Sequence, residues 1–173
     1  MKTTLNAIRA QGPCTEGWKK LLSHLGKTEA DDEPLSLLTI LDSNGLTDAL
    51  WAFRAVKGYG REKRLYAVWC TRQVEYLMTD QRSRDALDVA ERFARGRATL
   101  EELTAAYAAA YAAAAYVVGT TAPNAAAAAA DAAAAADAAA SASANAVAAQ
   151  IAEFRRVCEC IDAGRDPYPE GTT

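Results

Sequence analysis

Alanine dominates one stretch of this chain. Thirty of the 48 residues from Ala105 to Ala152 are alanine, whereas the other 125 residues contain twelve. Alanine has the highest helix propensity of the amino acids, so this stretch favours helix even where it makes few tertiary contacts. A buried methyl group contributes much less free energy than a buried leucine, but it lets two helices approach closely. The stretch therefore predicts long helices that pack at short range.

A predicted break divides the alanine-rich stretch into two helices. The first is expected to begin at a capping box of Thr99 and Glu102 and to end at Gly119. The second is expected to run from Asn124 to about Asp162. Its last third should pack on other helices because it carries apolar residues at helical spacing: Val147, Ile151, Phe154, Cys158 and Ile161. We expect the two helices to form an antiparallel hairpin.

Five further helices are predicted ahead of this hairpin. Most have a capping residue or a proline near the start, an apolar stripe, and a glycine near the end. Their predicted limits are Thr15 to Gly26, Glu33-Pro34 to Asn44, Thr47 to Lys57, Arg61 to Met78, and Asp80 or Ser83 to Arg95. The acids Asp31, Asp32 and Glu33 are expected at the start of the second helix, where carboxylates stabilise the positive end of the helix dipole.

These patterns predict an all-α fold. We expect a multi-helix bundle with a long alanine-rich C-terminal helical hairpin. Bulky apolar side chains are concentrated before the hairpin, so residues 1–98 should form the helical core. Residues 99–164 should form the hairpin, which packs on that core. Residues 165–173 contain Pro167 and Pro169 and should be irregular.

The sequence lacks the usual signals for export or membrane insertion. Asp131 and Asp137 interrupt the alanine-rich stretch, and alanine anchors a helix only weakly in a membrane. The segment from Met1 to Ala10 has no apolar core of the signal-peptide kind. We therefore expect a cytoplasmic protein without a membrane partner, in which the four cysteines are reduced thiols.

Residues that could catalyse a reaction are scarce in this sequence. His24 is the only histidine, and ten residues of helix, about 15 Å of rise, separate it from Cys14. Cys158 and Cys160 do not have the spacing of a structural zinc site. Gly26-Lys27-Thr28 matches only the end of a phosphate-binding loop and lacks its upstream glycine. We therefore expect a protein that is not an enzyme, with no catalytic residue, no metal and no cofactor.

A net charge of -3 conceals alternating blocks of charge. Residues 28–53 carry six acidic side chains and no lysine or arginine, whereas residues 54–97 carry eleven basic and six acidic ones. Such blocks are typical of solvated helix faces that pair within the fold, and they also suit a charged protein partner or nucleic acid. The candidate surfaces are a basic strip (Arg61, Lys63, Arg64, Arg72, Arg82 and Arg84) and an acidic strip (Asp31, Asp32 and Glu33).

Four segments of the sequence resemble a family of small phage and prophage proteins. They are Asp31 to Leu35, Ser43 to Trp51, Arg64 to Cys70, and Asp80 to Glu91, the last followed by a glycine-ended turn and alanine repeats. Those proteins are in turn similar to immunity proteins of the Imm type. The resemblance covers about residues 15–118. It implies an all-helical fold and an origin in a mobile element of a bacterial host, and it transfers no catalytic residue.

Three functions are compatible with these observations. We expect a non-enzymatic phage or mobile-element protein that binds and neutralises a protein effector, either a host defence component or a toxin, through one of the two strips. The first alternative is a structural or scaffold protein that forms homodimers or larger oligomers through its alanine-rich helix. The second alternative, which we favour less, is a helical protein that binds nucleic acid through the basic 54–97 block.

Overall fold

The computed structural model describes residues 1–120 and 146–170, with the side chains of residues 1–110 and 146–170. These residues form an all-α multi-helix bundle with one short pairing of two strands, which confirms the predicted fold class. They fall into two compact units: unit 1 comprises Met1–Tyr59 and Glu153–Thr173, and unit 2 comprises Gly60–Ala152. The predicted division into a core of residues 1–98 and a hairpin of residues 99–164 depends on how the alanine-rich stretch packs, so it stays a prediction.

Unit 1 begins with alternating short strands and helices. In chain order its elements are β1 (Lys2–Thr3), α1 (Leu5–Arg9), α2 (Thr15–Leu25), β2 (Leu35–Ser36), α3 (Leu37–Asn44), α4 (Leu46–Trp51) and a 3₁₀ helix (Ala52–Ala55). Residues 153–162 add a further helical segment to this unit. The strands pair antiparallel, with Lys2 opposite Ser36 and Thr3 opposite Leu35. The hydroxyl of Thr3 donates to the Ala55 carbonyl at 2.8 Å, so it ties β1 to the 3₁₀ helix.

The second predicted helix begins later than the sequence indicated. Pro34 precedes strand β2, and α3 starts only at Leu37, where the Ser36 hydroxyl caps it by accepting from the Leu38 amide at 3.2 Å. Pairing with β1 holds Leu35 and Ser36 in an extended conformation. The first turn of α3 contains no acidic residue. The expected placement of Asp31, Asp32 and Glu33 at a helix start is therefore wrong.

The other helix limits of unit 1 follow the predicted signals in part. Gly26 ends α2 in the left-handed conformation, with φ at 64°, as predicted. The cap at the start of α2 is Cys14 rather than Thr15, and its sulfur accepts a hydrogen bond from a first-turn amide at 3.4 Å. Helix α4 begins one residue before Thr47, which therefore lies inside the helix.

The core of unit 1 includes the C-terminal helical residues. The rings of Phe53 and Phe154 stack with their centroids 5.3 Å apart. Phe154 and Cys158 are buried, which confirms the predicted packing of the apolar stripe at these two positions. Asp42 and Arg155 form an ion pair on the surface of the same unit, with 2.5 Å between the carboxylate oxygen and the guanidinium nitrogen. Other fully buried side chains of unit 1 are Met1, Leu5, Leu37, Ile40 and Val157.

Unit 2 is a series of longer helices. Its elements are α5 (Gly60–Arg72), a 3₁₀ helix (Glu75–Leu77), α6 (Gln81–Ala94) and α7 (Leu100–Thr120), and residues 146–152 are also helical. The predicted helix from Arg61 to Met78 is wrong in its last third, because α5 ends at Arg72. Asp80 caps α6 by accepting from the Arg82 amide at 2.8 Å, so the earlier of the two predicted starts is confirmed.

Helix α7 begins at the predicted capping box. The Thr99 hydroxyl accepts from the Glu102 amide at 3.1 Å, and the Glu102 carboxylate accepts from the Thr99 amide at 2.6 Å. The predicted end at Gly119 is wrong, because Gly119 and Thr120 are still helical. The expected break and the alanine helix that should follow it fall mainly in residues 121–145, outside the described residues. The antiparallel hairpin therefore stays a prediction.

Buried residues of unit 2 lie on facing sides of its helices. The Arg64 guanidinium lies over the Phe93 ring, and Arg72 contacts Asp88, so α5 and α6 run antiparallel. The Tyr66 hydroxyl donates to the Gln150 carbonyl at 3.1 Å. The buried side chains of α5 and α6 are Leu65, Tyr66, Val68, Ala86, Leu87 and Ala94.

Helices long and apolar enough to cross a membrane are not found among the described residues.

The tail after residue 162 is irregular as far as residue 170. The Arg156 guanidinium holds it in place by donating to the Pro167 carbonyl at 3.0 Å and by lying over the Tyr168 ring. The same guanidinium pairs with the buried Glu153 at 2.7 Å. Arginine contacts therefore order a segment that has no repeating backbone hydrogen bonds of its own.

Candidate functional site

The acidic strip is built around a lysine. Lys27, two residues after the end of α2, pairs with Glu33 at 2.5 Å and also with Asp31. The hydrogen bond from Lys27 holds the pKa of Asp31 below its ordinary value. Asp32 accepts from the Thr4 hydroxyl at 3.4 Å. Two of the three predicted acids therefore close a loop by pairing within the chain, which leaves less of their charge for a partner.

The basic strip is divided between the two ends of the α5–α6 hairpin. Because these helices are antiparallel, the start of α5 lies beside the end of α6. Arg61, Lys63 and Arg64 therefore lie at one end of the hairpin, and Arg82 and Arg84 lie at the other. The structure does not bring the six predicted residues together as one surface.

Arg72 is the centre of a network of carboxylates. Its guanidinium pairs with Glu75 at 2.9 Å, with Asp88 at 2.6 Å and with Glu91 at 3.0 Å. Partial burial acts to lower the pKa of Arg72, but these three hydrogen bonds raise it. Arg95 pairs with Glu91 as well, at 3.1 Å. The network links α5, the 3₁₀ helix and α6, so Arg72 has a structural role.

The other predicted basic residues also have partners within the chain. Arg82 makes two hydrogen bonds to the Asp80 carboxylate, at 3.0 and 2.9 Å. Arg84 donates to the Met78 carbonyl at 2.7 Å. Arg61 pairs with Glu62 at 3.3 Å, and burial lowers the pKa of Lys63. Of the six, Arg64 and Arg82 are exposed, and Arg64 lies over the Phe93 ring.

An exposed apolar surface lies where α5 turns into α6. We call Val74, Tyr76 and Leu77 the hairpin tip. Tyr76 is 71% exposed, Leu77 is 64% exposed and Val74 is 39% exposed. Large apolar side chains rarely cluster on a surface without a reason, so three within four residues indicate a contact surface. This surface was not predicted from the sequence, because the predicted helix continued as far as Met78.

The hairpin tip has a defined backbone conformation. Amide-to-carbonyl hydrogen bonds close successive turns, from Val74 to Thr71 at 3.1 Å and from Leu77 to Val74 at 3.0 Å. Arg84 adds its bond to the carbonyl of Met78, directly after the tip. Arg72 holds Glu75 in the middle of the tip. The exposed side chains are therefore presented by a turn that several polar contacts fix.

Unit 1 contains a separate apolar cavity of about 120 Å³. Its apolar lining residues include Ile8, Trp18, Leu21, Ile40, Trp51 and Ala52. Asn44 and Asp48 are polar members of the lining, and the exposed residues Cys14 and Thr47 lie at its rim. A cavity between α2 and α4 was not predicted from the sequence.

Metal-binding geometry is not found in the described part of the chain, where no three His, Cys, Asp or Glu residues are grouped suitably. Cys14 is exposed and Cys158 is buried. Burial raises the pKa of the Cys158 thiol to about 12, so this thiol is protonated at neutral pH. Its surroundings suit core packing and do not activate it as a nucleophile.

Comparisons with known proteins add no relative to this description. No protein-family model matches the chain, and neither a curated protein nor a solved structure matches it.

Proposed function

We propose that this chain is a non-enzymatic binding protein of a phage or other mobile element, and that it neutralises a protein effector by contacting it through the hairpin tip. The observation that carries the proposal is the exposure of Tyr76 and Leu77, at 71% and 64%, on a turn whose backbone is fixed. The mobile-element origin and the effector as target rest on the resemblance of residues 15–118 to phage and immunity proteins.

The composition of the hairpin tip favours a protein partner. Tyrosine is among the residues that contribute most to binding energy in protein interfaces, and an adjacent aliphatic side chain excludes water from the contact. A turn that is already ordered loses little conformational entropy when it binds, so more of the contact energy appears as affinity. Arg82 and Asp80 flank the tip as a surface ion pair and can form a polar rim around it.

Nucleic acid is a weaker candidate for the partner of unit 2. Binding to phosphates requires guanidinium and ammonium groups that release counterions when they bind. Arg72, Arg82 and Arg95 already pair with carboxylates of the same unit. Their charge is therefore largely compensated, although the 54–97 block is basic in sequence.

A capture experiment tests the proposal. The full chain is immobilised and incubated with lysate of a bacterial host, and each captured protein is then purified and its affinity measured directly. The double variant Tyr76→Ser, Leu77→Ser should bind the partner about 30-fold more weakly, as removal of interface hot spots does. Leu100→Ser removes an equally exposed apolar side chain from α7 of the same unit and should bind as the wild type does.

Charge variants discriminate between the hairpin tip and the two strips. Arg64→Glu and Asp32→Lys each reverse the charge of one exposed strip residue. Both should change the affinity for the captured partner less than the tip variant does. A large loss with either charge variant and none with the tip variant would assign binding to a strip and overturn the proposal.

Oligomerisation is a second candidate function, and one observation favours it. Leu100 and Tyr107 lie two turns apart on α7 and are 67% and 55% exposed. An apolar row on an alanine-rich helix could pair with a second copy of the chain. Light scattering should then report a dimer for the wild type and a monomer for Leu100→Ser, Tyr107→Ser. A wild-type monomer at every concentration would remove this candidate.

A further inference from the structure

We infer that the cavity of unit 1 is a binding site for a small aromatic ammonium ion, whose ring occupies the apolar chamber and whose charge meets Asp48. This inference is independent of the proposed function, because it concerns different residues and a different class of ligand. Three observations support it: the size of the cavity, its apolar lining, and the Asp48 carboxylate, which a hydrogen bond from Asn44 holds in place.

The chamber has the size of a single aromatic ring. Its volume is about 120 Å³, close to the ~150 Å³ of an apolar protein cavity that accepts benzene. Trp18 and Trp51 contribute indole rings to the wall, and Leu21 and Ile40 contribute aliphatic side chains. Indole surfaces attract both aromatic rings and cations, and the Arg54 guanidinium already lies over the Trp51 ring, 5.6 Å from its centroid. The chamber is partly open to solvent, and the exposed Cys14 lies at its rim.

Asp48 is the charged member of this lining. The Asn44 amide donates to its Oδ2 at 2.8 Å and donates also to the Gly17 carbonyl at 2.8 Å, so the carboxylate is held in one orientation. Within residues 1–120 and 146–170, no lysine or arginine forms an ion pair with Asp48. The cavity therefore has one negatively charged group that the described chain does not neutralise.

Gly17 makes room for this carboxylate. It lies in the first turn of α2, where a Cβ atom would be 2.7 Å from Asp48 Oδ2 and 3.1 Å from the Cys14 sulfur. Glycine weakens a helix relative to alanine by up to about 1 kcal/mol. The close approach of Asp48 gives a physical reason for glycine at this position.

These features select the chemical class of the ligand. An apolar wall excludes a strongly hydrated ion, and the carboxylate repels an anion. A ring that carries a primary ammonium group satisfies both parts of the site, because the ammonium can donate to Asp48 while the ring displaces water from the apolar surface.

Benzylamine, which is an ammonium ion at neutral pH, is the probe that tests the inference, with benzyl alcohol and benzoate as neutral and anionic molecules of similar size. Binding to the ¹⁵N-labelled full chain is followed by NMR on the indole N–H groups of its three tryptophans. We expect shifts at Trp18 and Trp51 and none at Trp69, which does not line the cavity. The dissociation constant for benzylamine should be about tenfold lower than for benzyl alcohol.

Two variants locate the charge effect. Asp48→Asn should weaken benzylamine binding about tenfold and leave benzyl alcohol binding unchanged. Asp42→Asn removes the same charge from an exposed position of unit 1 and should leave both affinities unchanged. Thermal unfolding of each variant establishes that it is folded at the temperature of the titration.

Three results with the probes and with Asp48→Asn would each overturn the inference. They are the lack of any tryptophan shift with all three probes, equal affinity for benzylamine and benzyl alcohol, and benzylamine binding that persists unchanged in Asp48→Asn. An equal loss in Asp42→Asn and Asp48→Asn would also overturn it, because the effect would then follow net charge and not the cavity.

Discussion

Gly17 and Asp48 are in such close contact that a single methyl group added to Gly17 would lie 2.7 Å from the Asp48 carboxylate. Gly17→Ala should therefore move this carboxylate and strain its hydrogen bond to Asn44. We expect the free energy of unfolding to fall by about 1 kcal/mol, although alanine normally stabilises a helix by a similar amount. Urea unfolding measures the change.

Gly60→Ala is the matched control for that substitution. Gly60 also opens a helix, but an added Cβ atom would meet only the flexible end of Arg64, at 3.4 Å. This variant should be as stable as the wild type or more stable by about 0.5 kcal/mol. If both glycine variants were equally stable, Gly17 would have no special role in accommodating Asp48.

The aromatic contact between Phe53 and Phe154 should be essential for unit 1. Phe154 is 1% exposed and stacks on Phe53, so Phe154→Ala should lower the free energy of unfolding by about 3 to 5 kcal/mol. Val147 belongs to the same predicted stripe but is 44% exposed. Val147→Ala should change stability by less than about 0.5 kcal/mol. Equal losses in the two variants would contradict the described packing of this stripe.

The buried thiol of Cys158 should make the protein sensitive to alkali. Burial raises the pKa of this thiol from 9.0 to about 12 in the folded chain. The unfolded chain therefore loses the proton first, and the contribution of the thiol to stability falls as pH rises from 9.0 to about 12. The wild type should lose up to about 1.4 kcal/mol per pH unit relative to Cys158→Ala over this range. A constant difference between the two proteins would contradict this assignment.

Glu91 should contribute stability that is lost in acid. Partial burial acts to raise the pKa of Glu91, but hydrogen bonds from Arg72 and Arg95 hold it below its ordinary value of 4.5. A lowered pKa in the folded state means that the contribution is complete above 4.5 and is lost as pH falls through the folded pKa. Glu91→Gln should be less stable by about 1 kcal/mol at neutral pH.

The difference between wild type and Glu91→Gln should shrink as the pH falls below 4.5. Asp85→Asn is the control, because Asp85 is exposed on the same helix and accepts from Gln81 at 2.8 Å. Its stability should stay near that of the wild type at neutral pH. A pH-independent deficit in Glu91→Gln would show that the loss comes from packing and not from charge.

Local signals in the sequence predicted much of the helical framework. As predicted, Gly26 ends α2, Asp80 caps the start of α6, and the capping box of Thr99 and Glu102 begins α7. Each of these signals depends on residues within one turn of the chain. The burial of Phe154 also followed from periodicity alone.

Contacts between distant residues account for what the sequence did not predict. Strand β2 forms because Leu35 and Ser36 pair with Thr3 and Lys2, more than thirty residues earlier in the chain. The end of α5 is fixed by Arg72, whose partners Asp88 and Glu91 lie on the next helix. No local pattern distinguishes these pairings from ordinary surface charges.

The candidate sites could not be predicted either, because they also depend on contacts between distant residues. The prediction assumed that the charges of both strips are available to a partner. In the structure, Asp31 and Glu33 of the acidic strip pair with Lys27, and Arg72 of the basic strip pairs with Asp88. The hairpin tip becomes exposed only because α5 ends before Val74. Exposure is a property of the fold, so a stripe of apolar residues could not reveal it.

Site-specific photo-crosslinking tests the central claim, that the hairpin tip is the protein-binding surface, most directly. A photo-reactive phenylalanine analogue is placed at Tyr76, or at Tyr107 as a control of similar chemistry on α7, and the full chain is irradiated in host lysate. We expect a discrete adduct with a single lysate protein from position 76, strongly reduced when Leu77→Ser is added. No adduct from position 76, or the same adduct in equal yield from position 107, would contradict the claim.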